Sequence, residues 1–251
     1  LLVSRFRSAE LLEVDPRSGE VLRRRRAPER TREIFMRPGP TTAVMAPNTA
    51  WRIAFDRDDG DVVMLHQSSI ATPIEVEMSG YSGDGCGGVV APAVSRFPRD
   101  GSPARGGGAI ASAILAVDLA VSARTGDYHL AAAATDAIDL LFGMGPLAVF
   151  PTTIEEECVF TDALEHSRRP AATSAVGELP DGRLVSVYVS PFRVAVANQL
   201  EFRAPERPLD RGFELFHTAT PSMTACASCH PEGAEDGHVW DFVGTGARRA
   251  Q

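Results

Sequence analysis

Three times along this chain a short apolar run leads through a glycine-containing turn into a second apolar run. Ile53-Ala54-Phe55-Asp56 passes by Asp59-Gly60 into Val62-Val63-Met64-Leu65. Leu119-Ala120-Val121-Ser122 passes by Thr125-Gly126-Asp127 into Tyr128-His129-Leu130-Ala131. Thr173-Ser174-Ala175-Val176 passes by Asp181-Gly182 into Leu184-Val185-Ser186-Val187. Glycine supplies the positive φ that a tight hairpin needs, and β-branched or alternating apolar residues fit pleated strands. The unit recurs with a degenerate period of roughly 55 to 65 residues, so hairpins in fixed order, stacked on one another, are the economical solution.

Further short strands are expected at Leu1 to Phe6, Leu11 to Val14, Glu20 to Leu22, Ile74 to Met78 and Phe192 to Ala197. Asp15-Pro16-Arg17-Ser18-Gly19 is another hairpin turn, and Trp51 reads as core. The repeat points to blades of a β-propeller, with a β-sandwich or an irregular β domain as the alternative. The opening Leu2-Val3-Ser4, with Ala9-Glu10-Leu11-Leu12-Glu13-Val14-Asp15-Pro16-Arg17-Ser18-Gly19-Glu20-Val21, resembles a blade of the YVTN-type bacterial β-propellers. That resemblance implies that the chain opens inside a blade, and that missing chain segments complete the fold. The alanine-dense stretches around Ala109 to Ala116 and Ala131 to Phe142 are candidates for short helices.

Near Leu200 the pattern changes. Phe202 to Arg207 reads as a linker, and from Pro208 the spacing of Leu209, Gly212, Phe213 and Phe216 is helical. The expected organisation is mainly β: a partial β-propeller over 1–203, then a small α-helical cytochrome c-like segment over 208–251.

Composition removes several functional classes. The formal net charge is −8, with 33 acidic against 25 basic side chains, so no nucleic-acid partner is expected. The one cationic cluster, Arg23 to Arg26, reads as a solvated strand edge. The longest apolar stretch, Ala109 to Val121, is interrupted by Asp118 and falls short of the ~20 residues of a membrane span. Glu155-Glu156-Glu157 reads as a solvated acidic turn, and Gly106-Gly107-Gly108 lacks the Lys-Ser/Thr of a phosphate loop. Cys86 and Cys158 are either disulfide partners or two unrelated thiols.

The chemistry resides in Cys226-Ala227-Ser228-Cys229-His230. Two thiols two residues apart on one helical turn can reach the two vinyl groups on one haem edge, and the following imidazole can ligate the iron. His230 is thus the candidate metal ligand and Cys226 and Cys229 the candidate attachment points of haem c. Zinc would need two further ligands, from His217, His238 or a distant cysteine. A redox dithiol would need a βαβ context, which the sequence does not offer.

Gly212-Phe213-Glu214-Leu215-Phe216 resembles the helix that opens cytochrome c domains. His230-Pro231-Glu232-Gly233-Ala234-Glu235-Asp236-Gly237-His238-Val239-Trp240 is similar to the stretch that follows the haem motif in bacterial di-haem cytochrome c peroxidases and MauG. The resemblance implies Trp240 in the haem pocket, with plain core as the alternative, and Arg248 near the haem, although Ala250 stands where that family has threonine. For a ligand on the far side of the iron, Met223 is badly placed, and His217 and His238 are open candidates.

The expected function is electron transfer by a propeller-linked c-type haem, exchanging electrons with a redox protein donor and acceptor. Two other readings stay open: the front portion of a di-haem peroxidase-like or MauG-like oxidoreductase, and a binding propeller with a structural haem. Resemblance to c-type cytochromes implies the bacterial periplasm or cell envelope.

Overall fold

A computed structural model describes residues 1–36, 39–74, 88–110, 113–136, 147–150, 158–159, 162–163, 172–190, 192–197, 199–203, 210–220 and 224–249, and the protein is mainly β. Sheet one is an antiparallel meander of β1 (Leu2–Arg5), β2 (Glu10–Val14) and β3 (Val21–Arg26). Sheet two continues the pattern with β4 (Arg30–Met36), β5 (Gly39–Phe55), β6 (Val62–Ile70), β7 (Val90–Phe97) and β8 (Arg105–Ile110). Then come β9 (Ala116–Val121), β10 (Tyr128–Ala132), the short β11 (Thr135–Asp136) and β12 (Leu147–Phe150). They are followed by β13 (Cys158–Val159), which joins β8 in parallel, and β14 (Asp162–Ala163). Strands β9, β10, β12 and β14 form sheet three, again antiparallel. Sheet four is the meander β15 (Ala172–Glu178), β16 (Leu184–Ser190), β17 (Phe192–Val196) and β18 (Gln199–Arg203).

One turn design joins several of these hairpins. The N–H of Asp15, Asp56 and Ser122 donates to the carbonyl five residues on, and the glycine four residues on donates back to the first carbonyl. Those glycines, Gly19, Gly60 and Gly126, have φ of 75°, 72° and 76°, a region costly for a residue with a Cβ. The leading side chain closes the turn as well: Asp15 Oδ1 accepts from Arg17 N–H at 2.7 Å, Asp56 Oδ1 from Asp58 N–H at 3.0 Å, and Ser122 Oγ from Arg124 N–H at 3.2 Å.

The sheets lie on one another in chain order: β1 against β5, β5 and β6 against β9, and β9 and β10 against β15. Val63, Leu65, Val94, Ile110, Leu119, Tyr128 and Leu130 form the core between sheets two and three. Buried Asp118 is a polar tie across three sheets. It accepts from the Val176 N–H at 2.9 Å and pairs with Arg52 Nε at 3.2 Å. Arg96 fills the centre of the Asp56–Asp61 turn, hydrogen-bonding Asp56 and Asp59 and lying 3.9 Å from Asp61, so its guanidinium offsets part of the turn's negative charge.

The differences from the sequence expectations share one cause, tertiary burial overriding local propensity. The alanine-rich stretches are not helical where they are described. Ala109 ends in β8, Ala116 begins β9, and Ala131 and Ala132 are in β10, all buried where a small side chain lets sheets approach. Phe202 and Arg203, expected in a linker, belong to β18, where Phe202 pairs with Val194 and meets Phe192 edge-on at 6.2 Å. Arg23 to Arg26 occupy the edge strand β3 as expected, yet Arg25 turns back to donate to Pro98 O at 2.8 Å and Ser102 O at 2.5 Å. Ile74 makes an isolated bridge, whereas residues 75–78, the glutamates 155–157, Cys86 and Met223 lie outside the described residues.

His66 is wholly buried on β6, with Nδ1 donating to Gln67 O at 2.8 Å and Nε2 accepting from Ser95 Oγ at 2.9 Å. Burial pushes its pKa down to about 4, so the folded state holds it neutral. Above its unfolded value of about 6.5 this contribution is complete, and it is lost as pH falls towards 4, by about 3 kcal/mol in all. Urea-unfolding midpoints measured at pH 7 and pH 4.5 should therefore fall further in the wild-type protein than in His66→Gln.

Candidate functional site

After sheet four the described chain resumes at Asp210, whose carboxylate caps helix α1 (Arg211–His217) by accepting from the Phe213 N–H at 3.0 Å. The helix carries Phe213, Leu215 and Phe216, yet buries none of its residues, and Leu215 is 72% exposed. At its C-terminal end His217 Nδ1 donates to Phe213 O at 2.8 Å, and the two rings stack with centroids 4.0 Å apart. Strand β19 (Thr218–Ala219) then pairs in parallel with β11, tying this part of the chain to the sheets.

The Cys-x-x-Cys-His motif is the next element, opening on the single-turn helix α2 (Cys226–Cys229). The turn is closed by Ser228 N–H to Ala225 O at 2.9 Å and His230 N–H to Cys226 O at 3.0 Å. Ser228 Oγ accepts from the Ala225 N–H at 3.1 Å, satisfying a donor that a helix start leaves open. Sequence chemistry divides the turn into two faces. Ala225 and Ala227 are buried against Ile114, Leu115, Ala133, Ala134 and Ala219, and Ser228 is buried beside them. Cys226, one helical turn before Cys229 and His230, is exposed.

Cys229 is the more enclosed thiol. It packs on a cluster built from Ala43, Met45, Ile70, Ile74, Val89, Val90 and Trp240. Burial, reinforced by the negative charge of Asp236, pushes its pKa up to about 12. That is the opposite of the depressed thiol pKa a redox dithiol requires. Among the described residues no group of three or more His, Cys, Asp or Glu side chains converges.

Directly after His230 the chain turns sharply through a 3-10 turn (Pro231–Gly233), where Glu232 holds a left-handed φ of 55°. The segment is then clamped down. Glu235 pairs with Arg7 of the β1–β2 turn at 3.1 Å, and Gly237, with φ 76°, leaves no room for a Cβ, which would lie 3.0 Å from Arg7 Cβ and O. His238 Nε2 donates to Ile70 O at 2.7 Å, and Ile74 exchanges backbone bonds with Asp241 and Val243. A hairpin of β20 (Trp240–Phe242) and β21 (Gly246–Arg248) ends the described chain.

The structure brings Cys226, Cys229 and His230 together on one turn and sets Trp240 behind them. Trp240 is 4% exposed, shares its cluster with Cys229 and donates from Nε1 to Asp236 Oδ2 at 3.1 Å. It is a core residue of sheet two with the motif at its margin. Arg248 is not part of the group: it is exposed, and its guanidinium bonds the carbonyl of Ala247. His238 is committed to Ile70, whereas His217 keeps Nε2 without a hydrogen bond among the described residues. Of the described residues in 208–251, only α1 and α2 are α-helical; the others form a 3-10 turn, the short β19, loops and a β-hairpin. Among the described residues, the segment's buried apolar side chains Ala219, Ala225, Ala227 and Trp240 pack in clusters shared with the sheets.

The residues fit a covalently held haem. Both thiols are free, one is exposed, and the His230 imidazole has no hydrogen-bond partner among the described residues. The unburied apolar side chains of α1, which packs against α2, offer a surface for a flat apolar ring. Asp236 was the residue missed by sequence reasoning; its Asp-Gly pair signalled a turn and nothing more. No protein-family model and no curated protein matches the chain.

In haem-free protein the two thiols should differ sharply in reactivity. Iodoacetamide at pH 8, followed by peptide mapping, should label Cys226 within minutes and leave Cys229 unlabelled until denaturant is added.

Proposed function

We propose that the chain binds haem c covalently through Cys226 and Cys229, with His230 as an axial ligand, and serves in electron transfer. The observation that carries the reading is the single-turn helix itself: two free thiols and an unengaged imidazole at one-turn spacing, beside a helix whose apolar residues are not buried. When bound, the group supplies one-electron Fe(III)/Fe(II) chemistry. The residues of the chain do the rest. Ala225, Ala227 and Ser228 anchor the turn inward so that its reactive face stays outward. The Glu232 turn and the bond from His238 to Ile70 fix the chain leaving His230. Two thioethers remove the need for a deep pocket, which suits a site at the margin of the sheets.

For the scaffold we propose a partial β-propeller. Its support is the succession of antiparallel meanders, each laid on the next in chain order, with the same turn design joining strands in three of them. Sheet four presents Val185, Val187, Val189, Phe192, Val194, Val196 and Phe202 on one face, and none of them is buried. A further sheet of such a ring would cover this face. Attachment of haem c implies maturation in the bacterial periplasm or cell envelope, and an electron donor and acceptor that are themselves redox proteins.

A pyridine haemochrome spectrum after acid–acetone extraction tests the central claim, using protein from a host that matures c-type cytochromes. Haem should stay with the polypeptide, show the c-type spectrum, and be lost in the Cys226→Ala/Cys229→Ala variant. Extraction of all haem from the wild-type chain, with stoichiometric zinc found instead, would sink the reading.

A further inference from the structure

Asp236 is an unusual residue to find behind a thiol turn. Its side chain is 0% exposed, and no Lys or Arg pairs with it among the described residues. Isolated carboxylates are rarely buried, because water stabilises the charge better than an apolar surround does. Two donors compensate in part: the His238 N–H at 2.8 Å and the Trp240 indole N–H at 3.1 Å, both on Asp236. Trp240 in turn belongs to the cluster against which Cys229 packs, so the carboxylate and the thiol turn are supported by one cluster. The neighbouring acid, Glu235, is turned away to Arg7. Burial raises the Asp236 carboxyl above the usual carboxylate range, against the opposing pull of the His238 N–H, the His238 charge and the Trp240 N–H.

We infer that Asp236 is a tuning residue for the haem, a buried negative charge beside the Cys229 attachment point that holds the iron towards its ferric state. This rests on the haem reading above. A fixed negative charge in a poorly solvated surround stabilises Fe(III), with its extra positive charge, over Fe(II). A merely structural Asp236 would need only its two hydrogen bonds, and most of that role survives in asparagine, which keeps an acceptor oxygen. Charge and geometry are therefore separable at this position.

The experiment is a spectroelectrochemical titration at pH 8 of the haem-loaded chain, wild type against Asp236→Asn and Asp236→Glu. Asp236→Asn should move the Fe(III)/Fe(II) equilibrium towards the ferrous form by at least tenfold, equal to 59 mV for one electron. Asp236→Glu, which keeps the charge, should stay within about threefold of wild type on the same scale. An Asp236→Asn protein that retains its haem at an unchanged potential would overturn the inference and leave the haem reading intact. Loss of haem from both variants would overturn it too, in favour of a purely structural carboxylate. A wild-type chain without attached haem would remove the haem reading and this inference with it.

Discussion

All nine residues of β6 are buried, which means that both faces of the sheet around it are covered. A half-polar strand could have left one side to water, as antiparallel sheets commonly do. Here Val63 and Leu65 pack towards sheet three, while Val62 and Met64 pack with Leu11 of sheet one and Ala50 and Phe97 of sheet two itself. Covering both faces of sheet two fixes the order in which the other sheets stack. It also explains the polar ties, since charges caught between sheets have to be satisfied there. Asp118 is one such group, with Arg52 on one side and the Val176 backbone on the other. Arg96, in the acidic turn, is another.

The candidate site inherits its geometry from that stack. Its described residues take their position from contacts with Ile70 and Ile74, from the pairing of β19 with β11, and from the Ile114–Leu115 region that leads into sheet three. The consequence is a short turn on a firm support: Ala225, Ala227 and Ser228 face inward, Cys226 faces outward, and Cys229 and His230 are half-buried between them. Small inward residues allow the backbone of α2 to sit close to the sheets. The same closeness encloses Cys229 and leaves Cys226 open, which separates two chemically identical thiols.

Much of this was legible in the sequence, because it depends on local rules. The hairpins at Asp15–Gly19, Asp56–Gly60 and Ser122–Gly126 follow from turn chemistry that any context would favour. The helical spacing of Gly212, Phe213 and Phe216 and the spacing of Cys226, Cys229 and His230 are equally local. Three features were misread or missed where a long-range contact decided the outcome. Ala109, Ala116, Ala131 and Ala132 fell in strands, where burial between sheets favours small residues. Phe202 became a strand residue because Val194 was there to pair with it. Asp236 went unread because the Trp240 indole that bonds it packs on Ile70 and Ile74, some 170 residues earlier in the chain.

The sequence by itself therefore determined which pieces form and which atoms are chemically equipped: the strands with their glycine turns, and two thiols and an imidazole at one-turn spacing. Local sterics and hydrogen bonding are enough for that. Only the tertiary structure decided what surrounds those atoms. Burial, and with it the thiol of Cys229 raised to about 12 and the carboxylate of Asp236 sealed from water, arises from residues remote in the chain. Solvation is a property of the whole packed neighbourhood, and no stretch of sequence contains that neighbourhood on its own.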